Sequence, residues 1–303
     1  MKLAMISLLL LVPLVAAGAD PGADGSNPIY HALIASGLNI EGRTIKFPRP
    51  LLNDEQSAET QQAQLVELLG SERKVAEFLR DSVSAPFILK LKDETTTGSI
   101  LRRADLWFAV HASLDSVDFD AFSRQSNDSK PVEVGNMRFE SRQLDAAALK
   151  ERGIEVPASN DTQEAFFMHQ TGRLLDRIHV EGTDSIFASR TPRSLVIAAQ
   201  TDRRFDNDPK AANRWWSITR RAGKEEAGTA QVYHGGASYV VINQLASDPK
   251  VLVAEAHFVF AEPRPWFDGS PILRSKISLI AQDQIRHLRR EIARKKGGDA
   301  AKP

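Results

Sequence analysis

The spacing of apolar residues changes twice along this chain, and these changes constrain its fold more than any other feature. Apolar residues recur at helical spacing over residues 57–81, follow strand-like alternation over residues 87–261, and return to helical spacing over residues 273–292. No long linker separates the three regions, so a single domain is expected. We therefore predict an α+β fold, in which an antiparallel β-meander sheet is accompanied by N-terminal helices and a long C-terminal amphipathic helix.

The C-terminal helix, predicted over residues 272–296, is the clearest single element. One apolar stripe runs opposite a face rich in Arg and Lys, and it consists of Leu273, Ile277, Ala281, Ile285, Leu288 and Ile292. We expect the stripe to pack on the sheet and the helix to end at Gly297 and Gly298, with residues 297–303 as a flexible tail. This element order is similar to that of helix-grip folds, which enclose apolar ligands between sheet and helix.

The first part of the domain, residues 27–85, is predicted to be helical. Asn27 followed by Pro28 is typical of a helix start, with Asn as the cap and Pro in the first turn. Gly70 and Ser71 interrupt the apolar spacing that follows. This interruption predicts two helices, the second capped by Ser71.

The β-rich part, residues 86–261, carries turn signals at hairpin spacing. Gly98, the Gly182–Thr183 pair and the Gly235–Gly236 pair are each predicted to connect two strands. The expected strands cover residues 87–92, 99–113, 177–181, 184–190, 193–201, 214–220, 231–234, 238–245 and 251–261. A short helix is expected over residues 144–152, because that segment is rich in helix-favouring residues and Gly153 follows it.

Residues 1–17 are expected to be a secretory signal peptide. A basic start is followed by an almost unbroken apolar run, and small residues then offer cleavage after Ala17 or Ala19. The run contains Pro13 and is shorter than the ~20 residues that span a bilayer. We therefore expect an exported protein, periplasmic or extracellular, with residues 18–26 as a flexible leader and no membrane span after cleavage.

Composition and motifs exclude several classes of function. The chain has no cysteine, which rules out disulfides, thiol chemistry and a cysteine-linked lipid anchor. Its 39 basic and 39 acidic residues balance, so a nucleic-acid partner is not expected. The G-x-S-x-G, H-E-x-x-H, G-x-G-x-x-G and P-loop patterns are all absent, and we predict no metal and no cofactor.

Two strands place titratable side chains on a common face. Asp105, Trp107 and His111 share one face of the strand over residues 99–113, and Glu255 and His257 share one face of the last strand. Both faces of the last strand are mainly apolar, so its carboxylate and imidazole should be covered and need partners. Asp105, His111, Glu255 and His257 are therefore candidates for acid–base catalysis. The same pattern is also typical of structural hydrogen-bonded pairs, and both interpretations stay open.

Tryptophans supply the remaining candidate site residues. Trp215 and Trp216 are adjacent in a predicted strand and must point to opposite faces, so one packs in the core and the other is free for a contact. Trp266 lies in the connection to the C-terminal helix. At that position it either covers a cavity or attaches the helix to the sheet.

The leading hypothesis is a non-enzymatic binding or accessory protein. A small apolar ligand would lie between sheet and helix near Trp107, His111, His257 and Trp266, in a pocket of ~300 Å³ or more. One alternative is an exported hydrolase that uses an Asp/Glu–His pair at a common open site. Another is a protein-interaction module built on residues 57–81, which requires an exposed apolar patch.

Overall fold

The computed structural model describes residues 27–116, 131–134, 136–268 and 270–299. The predicted signal peptide, the leader and the end of the predicted tail lie outside these ranges. Within them, the helices are α1 (Pro28–Ala35), α2 (Ala58–Leu69), α3 (Glu72–Phe78), α4 (Ala146–Glu151) and α5 (Ile272–Asp299). None of these helices is both long enough and apolar enough to cross a membrane.

Fourteen strands lie in the described ranges, and twelve of them belong to one sheet. The strands are β1 (Leu38–Ile40), β2 (Arg43–Ile45), β3 (Ile88–Thr95), β4 (Ser99–His111), β5 (Val132–Val134), β6 (Met137–Gln143), β7 (Gln163–Leu174), β8 (Ile178–Arg190), β9 (Ser194–Thr201), β10 (Arg214–Arg221), β11 (Lys224–Ala227), β12 (Gln231–Val232), β13 (Gly236–Gln244) and β14 (Val251–Pro263).

The helix boundaries follow the predicted caps. Asn27 accepts a hydrogen bond from the Tyr30 amide at 3.0 Å, with Pro28 in the first turn, so α1 starts where predicted. Gly70 adopts φ = 89°, and Ser71 caps α3, which confirms the predicted pair of helices. The predicted end of the last helix at Gly297 and Gly298 is wrong, because α5 continues to Asp299.

The predicted antiparallel sheet is confirmed, and its strand order combines a meander with one long-range pairing. The main path runs β3–β4–β14–β13–β9–β8–β7–β6–β5. Strands β5 to β9 form a meander, whereas the last strand, β14, pairs with the early strand β4 over thirteen residue pairs. The first and last parts of the sheet are therefore held together by a long-range pairing.

Each face of the sheet is covered by a different set of elements. Alternate residues of β4 and β14 pack against Ile285 and Leu288 of α5, and we call this side the helix face. The opposite side packs against α1, α2 and α3. We call it the strap face, because residues 46–54 also cross it.

Neither the Gly182–Thr183 pair nor Gly235 joins two strands that pair with each other. Gly182 and Thr183 lie inside the continuous strand β8, at the point where its neighbour changes from β10 to β9. The side chain of Asn213 fills this gap and accepts a hydrogen bond from the Thr183 amide at 2.9 Å. Gly235 does adopt φ = 67°, but it leads from β12, which pairs with β10, to β13, which pairs with β9 and β14.

Candidate functional site

The alternation of side chains along each strand decides on which face of the sheet the predicted site residues lie. Asp105, Trp107 and His257 belong to the strap face, since the residues that alternate with them pack against α5 on the helix face. Trp107 and His257 therefore lie on the face of the sheet that the C-terminal helix does not cover, away from the predicted space beneath it. Alternation identifies which residues share a face, but not which face the helix covers.

His257 bridges two carboxylates on the strap face. Its Nδ1 lies 2.5 Å from Oδ1 of Asp105, and its Nε2 lies 2.7 Å from Oε1 of Glu255. His257 is opposite Asp105 in the pairing of β14 with β4, and Glu255 is two residues away on β14 itself. The sheet register therefore places Asp105 beside Glu255 and His257, the two residues that were predicted to need partners.

The electrostatics of the trio favour a charged imidazole. Burial by itself lowers the pKa of His257, but the hydrogen bonds to Asp105 and Glu255 outweigh burial and raise that pKa above its usual value. Burial likewise raises the pKa of Asp105, yet the contact with His257 and the nearby Arg103 guanidinium leave it lowered. A charged imidazole carries a proton on each ring nitrogen, so His257 donates to both Asp105 and Glu255.

The strap closes over this trio. The Leu51 amide donates to Oε2 of Glu255 at 2.7 Å, and the Tyr239 hydroxyl donates to the Pro48 carbonyl at 2.7 Å. Asn243 donates to the Leu52 carbonyl at 2.9 Å. Three neighbouring strand side chains thus fix the strap by its backbone, and they satisfy polar groups that burial would otherwise leave unpaired.

The trio has no open position for a substrate in this arrangement. His257 is 1% exposed and both of its ring nitrogens are occupied. Catalysis by an acid–base pair needs a reacting atom within hydrogen-bond reach, and the strap occupies that space. Among the described residues, no cluster of His, Cys, Asp and Glu is arranged to hold a metal ion. We interpret the trio as a structural support of the strap.

His111 does not join the other candidate residues. Its Nε2 lies 2.7 Å from the Leu79 carbonyl, and its Nδ1 lies 4.0 Å from Oδ2 of Asp81. A carbonyl oxygen only accepts, so Nε2 carries the proton and Nδ1 is left as an acceptor in the neutral ring.

Trp266 lines a cavity between the sheet and α5, in the layer where an apolar ligand was predicted. Apart from Lys276 and Gln284, the lining consists of aliphatic, methionine and aromatic side chains. These are Leu89, Leu106, Met137, Phe139, Leu174, Val180, Tyr233, Phe258, Phe260, Trp266, Leu273, Ile277, Ile280, Ala281 and Ile285. Sheet and helix both contribute, so the cavity belongs to their interface.

The cavity is smaller than predicted. Its volume is about 100 Å³, whereas pockets for drug-sized ligands begin at ~300 Å³. Trp266 fills part of this layer, since its ring stacks on Tyr233 with centroids 5.6 Å apart and meets Trp215 edge-on at 6.0 Å. Trp266 therefore fits both interpretations. It lines the cavity, and it also attaches the connection before α5 to the sheet.

Several cavity residues were missed from the sequence. Met137, Phe139 and Leu174 lie on β6 and β7, which were not predicted as strands. In β7 both faces are covered, so Phe166, Phe167 and Met168 are all buried and no alternation is visible. In β6 a signal was present, because Met137 and Phe139 alternate with the exposed Arg138 and Glu140.

The adjacent residues Trp215 and Trp216 point to opposite faces of their strand, as predicted. Trp215 is buried next to Trp266, whereas Trp216 stacks on His179 with ring centroids 4.1 Å apart. The Arg214 guanidinium lies 5.6 Å from the Trp216 ring. Trp216 therefore already has partners within the sheet surface.

Comparisons with known proteins give no family. No family model matches the chain, and no curated protein matches it. Among solved structures, the chain is similar to the human StarD13 (DLC2) lipid transfer and protein localization domain, with 9% sequence identity and a TM-score of 0.29 over 74% of this chain and 95% of that one. A likeness this weak carries no argument about function.

Proposed function

We propose that this protein binds a slender apolar ligand, or the alkyl chain of an amphiphile, between the sheet and α5. The observation that supports this proposal is the apolar cavity lined from both sides by sheet and helix. Burying a methylene group in such a space contributes about 0.8 kcal/mol. A dry apolar cavity of this kind is the usual place where a soluble protein holds an apolar molecule.

The volume of the cavity restricts the ligand. About 100 Å³ accommodates part of an alkyl chain, and a bulkier molecule requires α5 to move away from the sheet. Lys276 and Gln284 lie on α5 at this cavity and are its main polar lining. A chain ending in a polar group fits this arrangement best, with the chain inside and the polar end towards these two residues.

A series of n-alkanols of increasing length tests the proposal. Affinity measured by titration calorimetry should rise about fourfold with each added methylene and should stop rising once the cavity is full. Alkanols that bind with no dependence on chain length, or that do not bind, would contradict the proposal.

A pair of variants locates the site. Ala281→Leu adds three carbon atoms at a lining position and should abolish the increase in affinity with chain length. Ser278→Leu adds the same side chain at an exposed position of the same helix and should bind alkanols like the wild type. Equal binding by the two variants would place the alkanol elsewhere.

Neither alternative function is favoured by a specific observation. Among the described residues, the exposed large hydrophobic side chains are Val232 and Leu279, and neither lies within residues 57–81. An interaction module on those helices therefore lacks the apolar patch that it requires. Under the hydrolase hypothesis, the strap would have to move away from Asp105, Glu255 and His257 so that a substrate could reach them.

Export is a separate proposal that rests on residues 1–17. The apolar run and the small residues after it predict removal of this segment after Ala17 or Ala19. The intact mass of the protein isolated from its own host tests the proposal. A mass that lacks the first 17 or 19 residues is expected, and a full-length mass would contradict it.

A further inference from the structure

A second cavity lies beyond the apolar one, near the end of β4. It has a volume of about 150 Å³ and is bounded by the connection after α3, the last residues of β4 and the later part of α5. This volume is far above the ~10–15 Å³ that one water molecule requires. Its charged and titratable lining residues are Arg80, Asp81, His111 and Arg289.

Arg289 is a buried guanidinium without a carboxylate partner among the described residues. The side chain is 7% exposed, and it donates to the carbonyls of Ala109, Ala85 and Pro86. Burial lowers its pKa to about 10, so it remains charged at neutral pH. Carbonyl dipoles replace the lost hydration of a buried charge but do not neutralise it. Buried charges are therefore normally paired with an opposite charge.

Two of the other three charged or titratable groups at the cavity, Arg80 and His111, can carry positive charge. Arg80 is exposed at the edge of the cavity. His111 gains a second proton on Nδ1 when it is charged, since Nε2 already donates to the Leu79 carbonyl. Asp81 is the one acid in the lining, and its side chain is 65% exposed.

We propose that this cavity binds a small oxyanion of the phosphate type, with Arg289 and Arg80 as its charge partners and His111 as a further donor. The guanidinium group suits this role because it pairs with oxyanions through more than one N–H at once. The site is separate from the apolar cavity, and it stands or falls independently of the alkyl-ligand proposal.

Inorganic phosphate tests this inference directly. The purified protein is titrated with sodium phosphate in a calorimeter, with sodium chloride at matched ionic strength as the reference. Saturable binding of one phosphate per chain is expected, with a Kd of ~1 mM or tighter. The His111 ring protons should shift in the NMR spectrum along the same binding curve.

Variants at the edge of the cavity keep the test independent of folding. Arg80→Gln should weaken phosphate binding by up to about fivefold, which is the range of an exposed ion pair. Arg73→Gln removes an exposed arginine of the adjacent α3, which pairs with Glu77, and should leave binding unchanged. Phosphate that acts no differently from chloride, or that binds Arg80→Gln and Arg73→Gln equally well, would overturn the proposal.

Discussion

At the residue scale, His257 links the strap to the sheet. It is 1% exposed and contacts one carboxylate on β4 and one on β14, and the second of these carboxylates holds the Leu51 amide. Removing one partner from a buried charge network leaves the other charges uncompensated.

His257→Ala should therefore lower the free energy of unfolding by about 3–5 kcal/mol, measured by urea denaturation. His287→Ala is a matched control, because His287 also lies near a carboxylate, 3.4 Å from Glu291, but is 49% exposed. The control should change the free energy of unfolding by less than ~0.5 kcal/mol. Similar losses in the two variants would show that the trio contributes nothing specific.

The same trio predicts how stability depends on pH. The pKa of His257 is raised in the folded protein above 6.5, so its stabilising contribution is complete below pH 6.5 and is lost as the pH rises through the folded value. The pKa of Asp105 is lowered below 3.8, so its contribution is present above pH 3.8 and is lost as the pH falls through the folded value.

The difference in unfolding free energy between wild type and His257→Ala isolates this effect. That difference should be largest between pH 3.8 and 6.5 and should shrink towards alkaline pH. The comparison removes the opposing effect of His169, whose pKa burial lowers to about 4. A difference that grows as the pH rises above 6.5 would contradict a charged His257 in the folded protein.

The sequence was informative about single residues of this trio, but not about their partnership. Alternation in β14 predicted that Glu255 and His257 are covered, and both are buried. The contact with Asp105 depends on the register between β4 and β14, which are separated by about 150 positions in the chain. Local patterns carry no information about that register.

At the element scale, the cap of α1 couples a helix to the sheet. Asn27 is fully buried, accepts from the Tyr30 amide, and donates to the Phe187 carbonyl of β8 at 2.9 Å. Ser71 caps α3 with a similar hydrogen bond at an exposed site. The two caps therefore differ mainly in their tertiary contact.

Asn27→Ala should lower the free energy of unfolding by ~2 kcal/mol, and Ser71→Ala by about 0.5–1 kcal/mol, both measured by thermal or urea unfolding. An equal loss in the two variants would indicate that the Phe187 contact adds nothing to the cap.

The elements that could be predicted are those with strong local signals. The starts of three helices were predicted correctly, two from the caps Asn27 and Ser71 and one from the apolar stripe of α5. The glycine signal at Gly182 was misleading, because there a long strand exchanges one neighbour for another, which is a property of the whole sheet.

At the scale of the whole molecule, the sheet separates two regions of different character. The strap face carries a closed, charged trio beneath residues 46–54, and the helix face carries an apolar cavity beneath α5. An apolar cavity lies in the layer where a ligand was predicted, whereas three of the four residues named for the site lie outside its lining. The spacing of apolar residues predicted an amphipathic helix packed on the sheet. It contained no information on which face of β4 that helix would cover.

An alkyl ligand is proposed to occupy the interface between the sheet and α5. A crystal structure of the protein with a bromine-labelled long-chain alkanol tests it most directly, because anomalous scattering locates the chain. We expect a bromine position within the cavity bounded by Leu106, Phe139 and Ala281. Bromine only on the outer surface or the strap face, with this cavity empty at saturating alkanol, would contradict the account.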